Sequence, residues 1–181
     1  MSAVLKALTD RRALRGLSDK ALDQAVVRRL FDAAVLAPSA ANKQPWRFVA
    51  VQDPQFLSEL QGTFADGNYW AKKAPLVVAA WTHVDYDLST PDGRQFALFD
   101  LGQAVMAFQT QAAAEGLVTH PFAGFNAVAA AQLLGLPEGA LLPVLISVAH
   151  PGSDSHLSDK HKEAEHSPRS RKALEEVVSF R

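Results

Sequence analysis

Apolar positions in this chain fall into alternating helix-like and strand-like patterns, separated by polar stretches that carry proline. Val4 to Leu8 suggests a short first helix. Leu22, Val26, Leu30 and Ala33 or Ala34 recur at helical spacing and predict a second helix, capped by Ser18 or Asp19 and stopped by Pro38. Phe48 to Val51 and Leu76 to Trp81 are unbroken apolar runs of strand length. Runs of that kind belong to sheets covered on both faces, so both read as buried strands with helices above and below. Asp53-Pro54 opens a short helix with proline in its first turn. The segment Tyr86 to Arg94, with Pro91 and Gly93, reads as a loop before a long helix that runs from Phe96 to Gly116. A short helix over about 127–134 and a third strand, Val144 to Val148, complete the predicted core, with no internal repeat.

Beyond His150 the pattern changes. Residues 150–170 are polar, with Gly152, Pro168, several serines and four histidines, and strand-like character returns only at Leu174-Glu175-Glu176-Val177-Val178. The C-terminal stretch, about 150–181, is therefore expected to be a flexible arm whose terminal strand cannot bury itself locally. The helix from Phe96 is apolar almost all round, which suits either a subunit interface or the centre of a monomer core.

At 181 residues, 48% hydrophobic and 20% charged, the chain suits one α/β domain spanning 1–181. A formal net charge of -1 provides no general attraction to nucleic acid or to an anionic membrane, so its arginines matter as local clusters. There is no cysteine, hence no disulfide, thiolate metal site or cysteine nucleophile. No basic-then-apolar leader opens the sequence, and a cytoplasmic location is the expectation. Phe96 to Ala114, the longest apolar stretch, contains Asp100, Gln103, Gln109 and Gln111, which would be costly in lipid.

Candidate chemistry centres on the loop from Ala37 to Phe48. Pro38 and Pro45 stiffen it, so Ser39, Asn42 and Gln44 sit on a connection able to present hydroxyl and amide groups to a planar, hydrogen-bonding ring. The same loop can also be read as an ordinary helix-to-strand turn. Arg11, Arg12 and Arg15 near one end of the chain, with Arg169 and Arg171 near the other, offer forked donors suited to phosphate if folding brings them together. No Gly-rich dinucleotide fingerprint or Walker sequence is present. His150, His156, His161 and His166 lack any metal-binding framework, Asp85 and Asp87 read as solvated loop residues, and Ser39 has neither a nucleophile elbow nor an evident base.

These residues carry a resemblance. An Arg-rich start (Arg11-Arg12-Ala13-Leu14-Arg15) precedes Ala-Pro-Ser-x-x-Asn-x-Gln-Pro-Trp at 37–46. Ala74-Pro75, Asp100-Leu101-Gly102, Gly124-Phe125 and Pro168-Arg169-Ser170-Arg171 follow in order. Taken together from about residue 9 onward, the chain resembles the nitroreductase family of FMN-dependent oxidoreductases. The resemblance implies a mixed α/β (α+β) fold: a central, mostly antiparallel sheet flanked by helices, with a C-terminal arm exchanged in a homodimer. It implies FMN as cofactor and NADH or NADPH as donor. Hydride would pass by a ping-pong route through flavin N5 to an electron-poor acceptor such as a nitroaromatic, quinone or enone.

Residue by residue, the resemblance assigns Arg11, Arg169 and Arg171, beside Arg12, to the phosphate and ribityl end, with Arg15 nearer the flavin pyrimidine. Pro38, Ser39 and Asn42 would come from the other subunit. Pro121, Phe122 and Gly124 would lie against the isoalloxazine, and Asn68 at the pyrimidine edge. No catalytic side chain and no metal are implied, since the chemistry belongs to the flavin. Ala13 stands where many members have Ser, and Ala123 where larger members often have an acidic residue. Lys72 and Lys73 do not clearly occupy the family's lysine position. The excursion covering the active site of larger members is reduced here, which implies a more open pocket. An oxygen-using flavin-fragmenting or dehalogenating enzyme, or a flavin-binding module without turnover, remain the alternative readings.

Overall fold

A computed structural model describes residues 4–181. Four strands, β1 (Arg47–Val51), β2 (Leu76–His83), β3 (Val118–Phe122) and β4 (Ala140–Ala149), form one antiparallel sheet in the order β1-β2-β4-β3. Side chains on the central strands alternate between two apolar layers. Val77, Ala79 and Trp81 of β2 face a layer containing Leu60, Trp70 and Phe122, while Leu76, Val78 and Ala80 face one containing Leu30, Leu101 and Phe108. That two-sided burial is what the unbroken apolar run in β2 requires.

The helices are α1 (Lys6–Asp10), α2 (Gln24–Ala34), α3 (Pro54–Gln61), α4 (Ala97–Ala114), α5 (Ala127–Leu133), α6 (Asp159–His166) and α7 (Leu174–Val177). As expected, α3 has Pro54 in its first turn, and the Asp53 carboxylate accepts the Phe56 N–H. Helix α4 buries Leu101, Ala104, Val105, Phe108 and Ala112 against the sheet. Its other side leaves Phe99 and Met106 exposed, and Leu98 is exposed in the first turn.

Several expectations are corrected. Helix α2 begins later than Ser18 or Asp19, because Asp23 is its cap and Leu17 is held in a bridge to Pro151. β1 is a half-exposed edge strand rather than a buried one. β3 was not expected, since Pro121 interrupts its apolar run; proline is tolerated there because β3 is the other edge. Part of the supposed flexible arm is the docked helix α6, capped by Ser158 and bonded to the body through Glu165 and His161. The expected terminal strand at 174–178 is instead the helical turn α7. Asp87 is not simply solvated, because its carboxylate accepts the Phe96 N–H at the start of α4.

Candidate functional site

Folding brings the two arginine groups together. Arg11, Arg12, Arg169 and Arg171 line one cleft of about 330 Å³ with Ala13, Ser167 and Ser170, and none of its lining residues is acidic. Arg12 donates to the Ser167 carbonyl at 2.7 Å, and Arg169 donates to the Leu8 and Arg11 carbonyls, so these two hold the tail against the end of α1. Arg11 makes no side-chain hydrogen bond among the described residues. Its guanidinium is pushed below the ordinary arginine range, first by burial and then by the facing Arg169 and Arg171 cations. Like charges gathered without a counter-ion favour an anionic ligand.

Arg15 lies deeper. Its guanidinium sits 5.6 Å from the centre of the Trp70 ring, and its Nε is buried without a hydrogen-bond partner. The His120 ring stacks on the same indole at 4.2 Å. Burial, followed by the Arg15, His161 and Arg11 charges, lowers the His120 pKa to about 4 against the pull of its bond to the Leu14 carbonyl, so this imidazole is neutral near pH 7. Sequence reasoning passed over His120 because a lone histidine beside Pro121 carries no motif.

The Pro38 loop is held stiffly, by more than its prolines. Ala41, Asn42 and Gln44 all have positive φ, at 46°, 56° and 48°. Ser39 Oγ accepts the Gln44 N–H at 2.9 Å, and the buried Asp100 carboxylate accepts the Ala40 N–H at 2.9 Å. The role of Asp100 explains the Asp-Leu-Gly stretch, whose carboxylate would otherwise be stranded in an apolar helix.

Asn68 and Gly124 also meet: Asn68 Nδ2 donates to the Gly124 carbonyl at 2.7 Å. A Cβ at Gly124 would stand 2.4 Å from that nitrogen, so any larger residue there would displace the Asn68 amide from this bond. The Phe122 ring points into the core, against Phe64 and Trp70, while Pro121 is half-buried.

The loop and the arginine cleft do not meet within one chain. The loop is tied to Asp100 near the start of α4, whereas Arg11 and Arg12 also line a groove with Ala113 and Gly116 at its end. At helical rise those ends are roughly 20 Å apart.

A sequence profile described as "Nitroreductase family" matches residues 8–68 and 65–150. Among curated relatives, "NADH dehydrogenase" of Thermus thermophilus is 27% identical over 180 residues, covering 83% of this chain and 87% of its own. "FMN reductase [NAD(P)H]" of Bacillus subtilis is 28% identical over 174 residues, covering 86% and 68%. A crystal structure described as an oxidoreductase containing FMN superposes with a TM-score of 0.87 at 26% identity, covering 98% of this chain and 91% of that one. A Desulfovibrio desulfuricans protein solved in complex with FMN gives 0.79 at 21% identity, covering 100% and 98%. The arginine cleft, the Pro38 loop and the antiparallel sheet thus occur in a chain that belongs to the nitroreductase family.

Proposed function

We propose that this protein is an FMN-dependent oxidoreductase that carries reducing equivalents from NADH or NADPH to an electron-poor small molecule such as a nitroaromatic, quinone or enone. The observation that carries the proposal is the set of arginines without carboxylate partners around one cleft, together with the orphaned, buried Nε of Arg15. A phosphate group satisfies the first, and an electron-rich ring edge the second. The FMN named for two of the similar structures supports this choice of ligand. Bound FMN would supply the two-electron chemistry.

Arg11 and Arg171 would hold the phosphate, while Arg12 and Arg169 keep the tail in place around it. Arg15 would favour negative charge on the ring. Asn68 uses its Nδ2 on Gly124, which leaves its Oδ1 able to accept from a ring N–H. The Gly124 backbone, Pro121 and the Phe122 main chain would line the ring's surroundings. Ser39 and Asn42, with Pro38, would close the site from a second copy.

A homodimer with composite sites answers the 20 Å gap estimated from the helix rise. Two copies related by a two-fold axis perpendicular to α4 would pack the exposed Phe99 and Met106 face against itself with the helices antiparallel. That arrangement sets the loop end of one α4 beside the cleft end of the other. Residues from His166 onward are exposed and would reach across the same boundary as the C-terminal arm of a unit spanning 1–181. Among the described residues no helix is long and apolar enough to cross a membrane.

The test is the visible spectrum of the purified protein, followed by anaerobic addition of NADH or NADPH. A flavin spectrum that bleaches, and recovers on adding menadione or a nitroaromatic, is expected. A colourless protein that takes up no FMN would overturn the proposal.

A further inference from the structure

The peptide unit joining Leu14 to Arg15 is gripped at both ends by side chains from distant parts of the chain. At one end His120 Nδ1 lies 3.1 Å from the Leu14 carbonyl oxygen. A carbonyl only accepts, so Nδ1 carries the proton and donates. At the other end the Glu165 carboxylate, on α6, accepts the Arg15 N–H at 2.8 and 3.1 Å and the Gly16 N–H at 2.8 Å. The fit is close: a Cβ on Gly16 would meet Glu165 Oε1 at 3.1 Å and the Gly152 carbonyl at 3.0 Å.

How Glu165 is used matters most. Its oxygens are taken by two backbone amides, and among the described residues it forms no ion pair with the Arg15 guanidinium. That cation lies instead over Trp70, its Nε buried and unpartnered. Tyr69 fastens α6 a second time: its hydroxyl accepts the Ser158 N–H at 2.7 Å and lies 3.2 Å from His161 Nδ1. The backbone of Arg15 is therefore anchored from β3 and from α6, while its charge is left unneutralised. The carboxylate is spent on main-chain amides, so the clamp fixes the backbone of Arg15 without neutralising its side chain.

We infer that His120 and Glu165 are positioning residues for Arg15, a clamp on the Leu14–Arg15 peptide that fixes where an unpaired guanidinium meets the flavin ring. The inference rests on the reading of Arg15 as a flavin-facing cation. Because a cation favours the more electron-rich form of the ring, its placement sets the preference for reduced over oxidised FMN. Loosening the clamp weakens that preference and lowers the reduction potential.

The experiment compares wild type with Glu165→Gln, His120→Phe and His120→Asn in two measurements. In FMN-free protein, hydrogen exchange reads the Arg15 and Gly16 amides, which should lose protection in Glu165→Gln. In FMN-loaded protein, spectroelectrochemistry reads the potential. His120→Phe, which changes no charge near pH 7, should lose roughly tenfold of the preference for reduced FMN, a fall of about 30 mV for a two-electron couple, whereas Glu165→Gln also deletes an anion and is read by exchange alone. His120→Asn keeps a donor for the Leu14 carbonyl and should stay close to wild type. If wild type binds FMN normally but His120→Phe leaves the potential unchanged while its melting temperature falls, the pair is a structural tether and the inference is overturned. Failure of wild type to bind FMN overturns the reading of Arg15 and the inference with it. Should Glu165→Gln not fold, the contrast between His120→Phe and His120→Asn decides alone.

Discussion

The neutral state of His120 makes a quantitative demand on how stability depends on pH. Its imidazole titrates at about 4 in the folded protein against an ordinary 6.5, chiefly because it is buried. Above pH 6.5 neither folded nor unfolded chain binds the proton, and this group contributes nothing to the pH dependence. Between 6.5 and about 4 the unfolded chain takes up a proton that the native chain refuses, so native stability falls with pH across that window and levels off below it. At pH 4.5 the loss amounts to about 2.5 kcal/mol, a large part of the stability of a protein of this size. His120→Asn removes the titration and keeps a donor toward Leu14. Urea unfolding of both proteins at one fixed concentration, at pH 7.5 and again at pH 4.5, isolates the effect, because other acid-sensitive groups are common to both. Glu115, for example, is held at about 2 by its bonds to Arg29 and then Gln111, so its contribution begins to fade as pH falls through 4.5, and does so equally in both proteins. The stability difference between wild type and variant should shift by about 2.5 kcal/mol in favour of the variant on going to pH 4.5. Parallel pH profiles for the two proteins would refute the buried, neutral histidine.

Three further outcomes are expected. Arg11→Ala or Arg171→Ala should weaken FMN binding by about 1.5 to 3 kcal/mol for each lost charged hydrogen bond, read by titrating FMN-free protein. The Arg169→Ala/Arg171→Ala double variant should lose flavin yet keep a dimer's mass by light scattering, because the α4 surface is untouched. Asp100→Ala should cost about 1 to 3 kcal/mol in urea unfolding, since it strands the Ala40 N–H that its carboxylate accepts at 2.9 Å.

What the sequence reveals here follows the range over which each stabilising contact acts. Helices α2 and α4 and strands β2 and β4 were legible because each buries its own apolar face, and periodicity reports that directly. Helix α6 buries no residue; it is fixed by bonds from Glu165 to Arg15 and Gly16 and from Tyr69 to His161. Nothing in a polar run such as Asp159 to His166 signals partners so far away in sequence. β3 fails the apolar test for a different reason. Thr119 and His120 are both buried polar residues, and a histidine lying against Trp70 does the work of an apolar side chain while counting as polar.

The candidate site divides along the same line. Arginines declare themselves by type, so both groups stood out as candidates at the two ends of the chain, and only the fold brings them onto one cleft. The groups that place them act on backbone atoms, which are the same at every position and leave no trace in a motif. Asp100 holds the Ala40 amide, Asn68 the Gly124 carbonyl, and His120 with Glu165 the Leu14–Arg15 peptide. Each is a polar side chain directed at main chain across a large sequence separation. Gly124 shows the consequence: the resemblance sets it against a ring, whereas in the fold the space beside it is filled by the Asn68 amide. The chemistry a candidate site can offer is thus written in residue identity. The precision with which it is placed is held by contacts that only the folded chain discloses.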